Sequence, residues 1–224
     1  MIAGVDGYKH GWAAAIDLGD GTTDVVQFDA FADLMAQEDL SLIVIDVPIG
    51  LLARGARNCD VLARQLLRPP RASSVFPAPI RPMLKASKWE EACRIRFKVE
   101  GKRCSKQILG ILPKIREVDA FMTPDLQARV LEGHPEVSFT LMNGGTPMTF
   151  KKVEREGRNE RLRLLVHHFP DIERSLSRLS GAATDVTDAY ACLWTARRVL
   201  RQEAIRLPSD LQMDERGLRA EIVA

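Results

Sequence analysis

The sequence predicts an α/β protein: a mixed sheet of three antiparallel strands followed by parallel strands, flanked by helices and carrying a helical insertion. Three observations carry this reading. Apolar segments around Ile2–Val5, Trp12–Ile16 and Thr22–Phe28 are separated by glycine-containing turns, the pattern of an antiparallel meander. The run Leu42-Ile43-Val44-Ile45 is apolar without alternation, as expected of a parallel strand covered on both faces. Segments with helical spacing then alternate with a further short strand candidate at Val130–Glu136.

Taken in order, Ile2 to Asp6, the turn at Gly7 to Gly11 and Trp12 to Ile16 form a hairpin. Gly19-Asp20-Gly21 marks the next tight turn, leading into the third strand. Phe31, Leu34 and Met35 share one face of a short helix, with Asp29 as its expected cap. After the Leu42 strand the spacing predicts a helix over Asn58 to Leu67, stopped by Pro69-Pro70. Arg71 to Pro79 is expected to be largely extended, because a proline disfavours helix at the residue before it. Lys88 to Val99 and Lys114 to Met122 are helix candidates, with Ser105 to Ile108 between them. Val137 to Met142, Arg158 to His168 and Thr184 to about Glu203 follow as helices, and Leu218 to Val223 as an edge strand.

At 224 residues the chain can bury a sizeable core, and we expect one domain over 1–224 with residues 54–116 as a basic, mainly helical insertion. A hydrophobic share of 46% with 28% charged residues is that of a globular protein, and no apolar run has transmembrane length. No basic region precedes an apolar segment at the N-terminus, which argues against a signal peptide. Four cysteines without a Cys-x-x-Cys pair argue for reduced thiols in a cytoplasmic protein. The net charge of +2 hides an asymmetry. Residues 1–53 carry nine acids and one base, whereas residues 54–116 carry sixteen Lys and Arg against four acids. Such a block attracts phosphate-rich partners, or serves as a solvated surface or the complement of the acidic part.

Asp6 ends an apolar strand, where aspartate is depleted. It is either a turn residue bonding its own backbone or a carboxylate held rigidly for metal binding or catalysis. Asp46 ends the second apolar run, and Glu136 follows the short Val130 strand. Asp185 and Asp188, three apart, share one face near the start of a helix, as caps or as ligands. Strand ends of a parallel sheet can gather these acids, and clustered carboxylates favour a divalent cation. Hard oxygen donors suit Mg2+ or Mn2+.

The motifs Gly4-Val5-Asp6-Gly7, Ile45-Asp46-Val47-Pro48, Arg71-Ala72-Ser73-Ser74-Val75-Phe76, Ser105-Lys106-Gln107, His134-Pro135-Glu136 and Asp185-Val186-Thr187-Asp188 occur in that order. Together they resemble a large bacterial and archaeal family of unknown function, domain-of-unknown-function family 429, described as a predicted nuclease with an RNase H-like fold. The resemblance implies such a fold and metal-dependent phosphodiester hydrolysis. It places Asp6, Asp46, Glu136, Asp185 and Asp188 at the catalytic centre, with Asp6, Asp188, Asp185 and Glu136 as metal ligands. Lys9, Arg71, Ser73 and Lys106 are candidates for holding phosphate, by charge or hydroxyl, and surface residues otherwise. His10 and His134 stay outside this set, and Trp12, Trp89 and Trp194 read as core residues.

Two other classes compete. A phosphotransferase or ATPase of actin-like ancestry would bind nucleotide phosphates at the first hairpin, but such proteins use two copies of the fold. A non-catalytic module binding nucleic acid or protein would keep the acids only as caps.

Overall fold

The structure, a computed structural model, describes residues 1–178 and 183–224. Its main sheet comprises β1 (Ile2–Tyr8), β2 (Gly11–Asp17), β3 (Thr23–Phe28), β4 (Leu42–Ile45) and β5 (Val130–Glu132), in the order β3-β2-β1-β4-β5. β1, β2 and β3 pair antiparallel, and β4 and β5 continue from β1 in parallel. This is a mixed α/β sheet consistent with an RNase H-like arrangement. All four residues of β4 are buried, which accounts for their lack of alternation.

The helices are α1 (Phe31–Met35), α2 (Asn58–Arg71), α3 (Trp89–Glu100), α4 (Lys106–Phe121), α5 (Pro135–Met142), α6 (Arg155–Val166), α7 (Ile172–Arg178) and α8 (Ala183–Leu200). One sheet face, with Ala13, Ala15 and Val44, packs against α8 and residues of α5, α6 and α7. The opposite face, with Val5, Trp12 and Ile45, receives α1 and α4 through Phe31, Leu34, Ile115 and Val118. Glu117 of α4 ties the layers together, accepting from the Trp12 indole at 2.8 Å and the Phe31 amide at 3.1 Å.

Gly4 sets how closely α8 approaches β1. A Cβ there would lie 1.9 Å from the Leu193 nitrogen and 2.2 Å from the Ala189 carbonyl oxygen, so only glycine admits this backbone-to-backbone contact. The chain ends in β6 (Arg206–Leu207) paired with β7 (Ile222–Val223), and Val223 bridges to Gly133 beside β5.

Several elements differ in detail from the sequence reading. The cap of α1 is Ala30 rather than Asp29; it has no capping side chain, and Asp33 reaches back to accept from its amide at 3.1 Å. α2 breaks at Arg68, where φ is 48°, and then makes a further turn beyond the prolines. Ala72–Ser74 form a short 3-10 turn rather than extended chain, because Pro77 and Pro79 restrain only the residues just before them. α4 starts at Lys106 and runs through Pro113, a tertiary override. Ile108 and Leu112 bury against Met83 and Ala92, while Ile115 and Val118 bury against the sheet.

Candidate metal centre

Strand alternation puts Asp6 on the same face of β1 as Gly4, two residues nearer the strand's C-terminal end. Gly4 touches α8 at Ala189 and Leu193, so the preceding residue Asp188 comes down beside Asp6. Asp46 reaches the same place by register. Its amide donates to the Val5 carbonyl at 2.9 Å, extending the β1–β4 ladder by one residue and aligning the two aspartates. One oxygen from each of Asp6, Asp46 and Asp188 lies within 4.8 Å of the others.

The electrostatics are those of crowded carboxylates. Asp6 is held well above the usual carboxylate range, first by burial and then by Asp46 and Asp188. Burial raises Asp46 to about 7, with Asp188 and Glu136 adding to the effect and Lys152 opposing it. Asp188 is 1% exposed. Its Oδ2 accepts from the Lys152 ammonium, while its Oδ1 is buried with no hydrogen-bond partner. The Asp188 charge pushes Lys152 up, and Asp6 and Asp46 reinforce it against the opposing effect of burial.

These residues fit a hard divalent cation on chemical grounds. The donors are oxygens only, one buried oxygen lacks a partner, and a lysine ammonium stands in as the countercharge.

The other acids occupy different positions. Asp185 lies one turn before Asp188 on α8, half-buried, its carboxyl raised first by desolvation and then by Asp188. Glu136, in the first turn of α5, is committed to Arg161, whose Nε and Nη2 donate to Oε1 at 3.1 and 2.5 Å. Its Oε2 is buried and unpartnered. A second acidic group, Cys59, Asp60 and Glu132, also has ligand-like spacing. Its cation is already present: Arg57 donates to Glu132 Oε1 and Oε2 at 2.7 Å and to Asp60 at 2.5 Å. That group is a buried ion-paired strut joining α2 to the end of β5.

Two hollows flank the carboxylates. One, of about 240 Å3, is lined by Asp6 and Asp46 together with apolar Phe76, Ile111, Ile115 and Ile222. The other, of about 550 Å3, brings Arg71, Ser73 and Ser74 next to Asp46 and Asp188. His134 and Lys152 line both. Burial holds His134 below its ordinary pKa, and its Nδ1 is buried without a partner. Lys9 is exposed in the β1–β2 turn and lines neither hollow. Lys106 opens α4, but its side chain lies outside the described residues.

Sequence reasoning missed Lys152 and Arg161. The one available signal for Lys152 was the Lys151-Lys152 pair in the stretch after Gly144-Gly145. Arg161 sits among exposed arginines of α6, and nothing in its spacing marks it as the partner of Glu136.

The fold and this centre define an α/β protein with a buried carboxylate cluster at the ends of parallel strands. The chain belongs to the family described as "Protein of unknown function (DUF429)", whose profile matches residues 4–213. No curated protein and no solved structure gives a significant match.

Proposed function

We propose that the protein is a divalent-metal-dependent nuclease hydrolysing phosphodiester bonds at the Asp6–Asp46–Asp188 centre with Mg2+ or Mn2+. The observation that carries the reading is the convergence of three aspartates from β1, the end of β4 and α8 within 4.8 Å, with one buried oxygen unpartnered. Divalent ions held there would supply Lewis-acid activation of water and stabilisation of the leaving oxygen. Asp6, Asp46 and Asp188 would hold the ions, with Asp185 at the margin of the site. Lys152 orients Asp188 and offsets part of the negative charge that would repel a phosphodiester. His134, kept neutral by burial, is available to take a proton beside both hollows.

The substrate in this reading is nucleic acid, met by the basic residues of 54–116. Among the described residues no helix is long and apolar enough to cross a membrane. The test is a screen of labelled DNA, RNA and nucleotides with Mg2+ or Mn2+, with Asp6→Asn and Asp188→Asn as controls. We expect metal-dependent cleavage of a polynucleotide that both substitutions abolish, with Asp188→Asn still binding the strand. Activity that survives either substitution, or that ignores chelator, removes this centre as the active site.

A further inference from the structure

The larger hollow beside the carboxylates holds a buried arginine that the hydrolytic centre leaves unused. Arg71 is 8% exposed, its Nε is buried without a partner, and its guanidinium makes no hydrogen bond or ion pair among the described residues. The other buried arginines behave differently. Arg57 is matched by Glu132 and Asp60, and Arg161 by Glu136. An arginine cannot shed its proton, so a largely buried one without an ion pair is suited to an incoming anion.

The hollow's own acids do not meet that need. Asp188 is engaged by Lys152, Glu136 by Arg161, and Asp46 faces Asp6 and Asp188. Besides those acids and apolar residues such as Val75 and Phe76, the hollow is lined by the cationic Arg64 and Lys151 and the hydroxyls of Ser73 and Ser74. The break at Arg68 and the turn at Ala72–Ser74 return this segment towards the ends of the strands. A planar guanidinium fork among hydroxyls matches a phosphate group in shape and charge.

We propose that Arg71 anchors a phosphate-ester subsite next to the carboxylate centre, taking a phosphate that neighbours the one cleaved. This rests on the nuclease reading for its substrate, a nucleic-acid strand. The unmatched charge of Arg71 itself calls for an oxyanion whatever reaction follows. Divalent cations on the aspartates would strengthen the subsite by removing negative charge from its wall.

Binding is tested in chelator, where metal-dependent cleavage cannot intrude. Fluorescence anisotropy would follow a labelled oligodeoxynucleotide with a 5′-phosphate and its 5′-hydroxyl counterpart, with inorganic phosphate as competitor. Arg71→Met keeps the stem and removes the fork. Arg71→Lys keeps the charge. Arg174→Met removes a charge beside the β2–β3 turn, away from the hollow. We expect Arg71→Met to weaken binding about tenfold to a hundredfold, the range for losing a charge-assisted hydrogen-bonded pair. Arg71→Lys should recover part of it, and Arg174→Met should stay within about twofold. Competition by phosphate identifies the group recognised. Dependence on the 5′-phosphate assigns a strand end, and indifference to it assigns an internal phosphate.

A folded Arg71→Met protein that binds like the parent overturns the subsite. Should that variant fail to fold, a folded Arg71→Lys protein with undiminished binding that phosphate does not compete does the same. The two readings separate cleanly. Arg71-dependent binding without metal-dependent cleavage keeps the subsite and removes the nuclease. Cleavage whose KM ignores Arg71→Met keeps the nuclease and removes the subsite.

Discussion

Asp46→Asn should stabilise the metal-free protein, and increasingly so as pH rises. In the folded state burial raises Asp46 to about 7, against an ordinary value of 3.8. Between those values the native state holds a proton that the unfolded chain has lost, so stability is full below the lower value and falls as pH rises through about 7. The difference corresponds to roughly 4 kcal/mol in all, of which about 3 kcal/mol falls between pH 5 and pH 8. Asparagine mimics the protonated acid and escapes this loss, while also relieving its repulsion on Asp6 and Asp188. Denaturant unfolding in chelator at both pH values measures the difference. The advantage of Asp46→Asn over the parent should grow by about 3 kcal/mol from pH 5 to pH 8. Magnesium should narrow the gap at pH 8, because a ligand at a hundredfold its Kd stabilises the native parent by about 2.7 kcal/mol and the variant lacks a donor. An advantage that does not change with pH, or a variant weaker than the parent at pH 8 in chelator, refutes the argument.

Other perturbations probe separate parts of the structure. Gly4→Ala should force α8 away from β1, costing about 3 kcal/mol and breaking the approach of Asp188 to Asp6, which a thermal melt and a metal titration would both register. Arg57→Met leaves Glu132 and Asp60 buried without their cation and should cost about 3–5 kcal/mol in denaturant unfolding. A second substitution, Glu132→Gln, should return part of that loss, since it removes an uncompensated charge. Lys152→Met removes a competing unit charge from Asp188, so Mn2+ affinity measured by calorimetry should rise about fivefold to tenfold. Reversing Lys102 and Arg103 to Glu should weaken strand binding and flatten its salt dependence without altering Mn2+ affinity, because fewer counterions are released.

The meander, the doubly covered β4 and the late helix were legible in the sequence because each rests on local periodicity. Two-residue alternation with glycine turns defines hairpins, an unbroken apolar run defines a strand buried on both sides, and helical spacing defines α8. Asp6 and Asp46 stood out for a related reason, as carboxylates closing apolar runs, and Asp188 because it shares a helix face with Asp185. Boundaries were less legible where packing overrides propensity. α4 passes Pro113 because its apolar residues bury in two clusters, and neither cluster is visible from the segment alone.

Tertiary structure decided which charges meet. Three aspartates far apart in sequence come within 4.8 Å because Gly4 lets α8 touch β1 and because the Asp46 amide continues the parallel ladder. Whether a cation near an acid neutralises it depends on distances of a few ångströms across elements, which composition and spacing do not encode. Hence Lys152 on Asp188, Arg161 on Glu136 and Arg57 on Glu132 emerged only from the fold. The same holds for Arg71. Its sequence shows an arginine before an alanine and two serines, and only the packed chain shows a largely buried arginine with no ion pair, its Nε unpartnered.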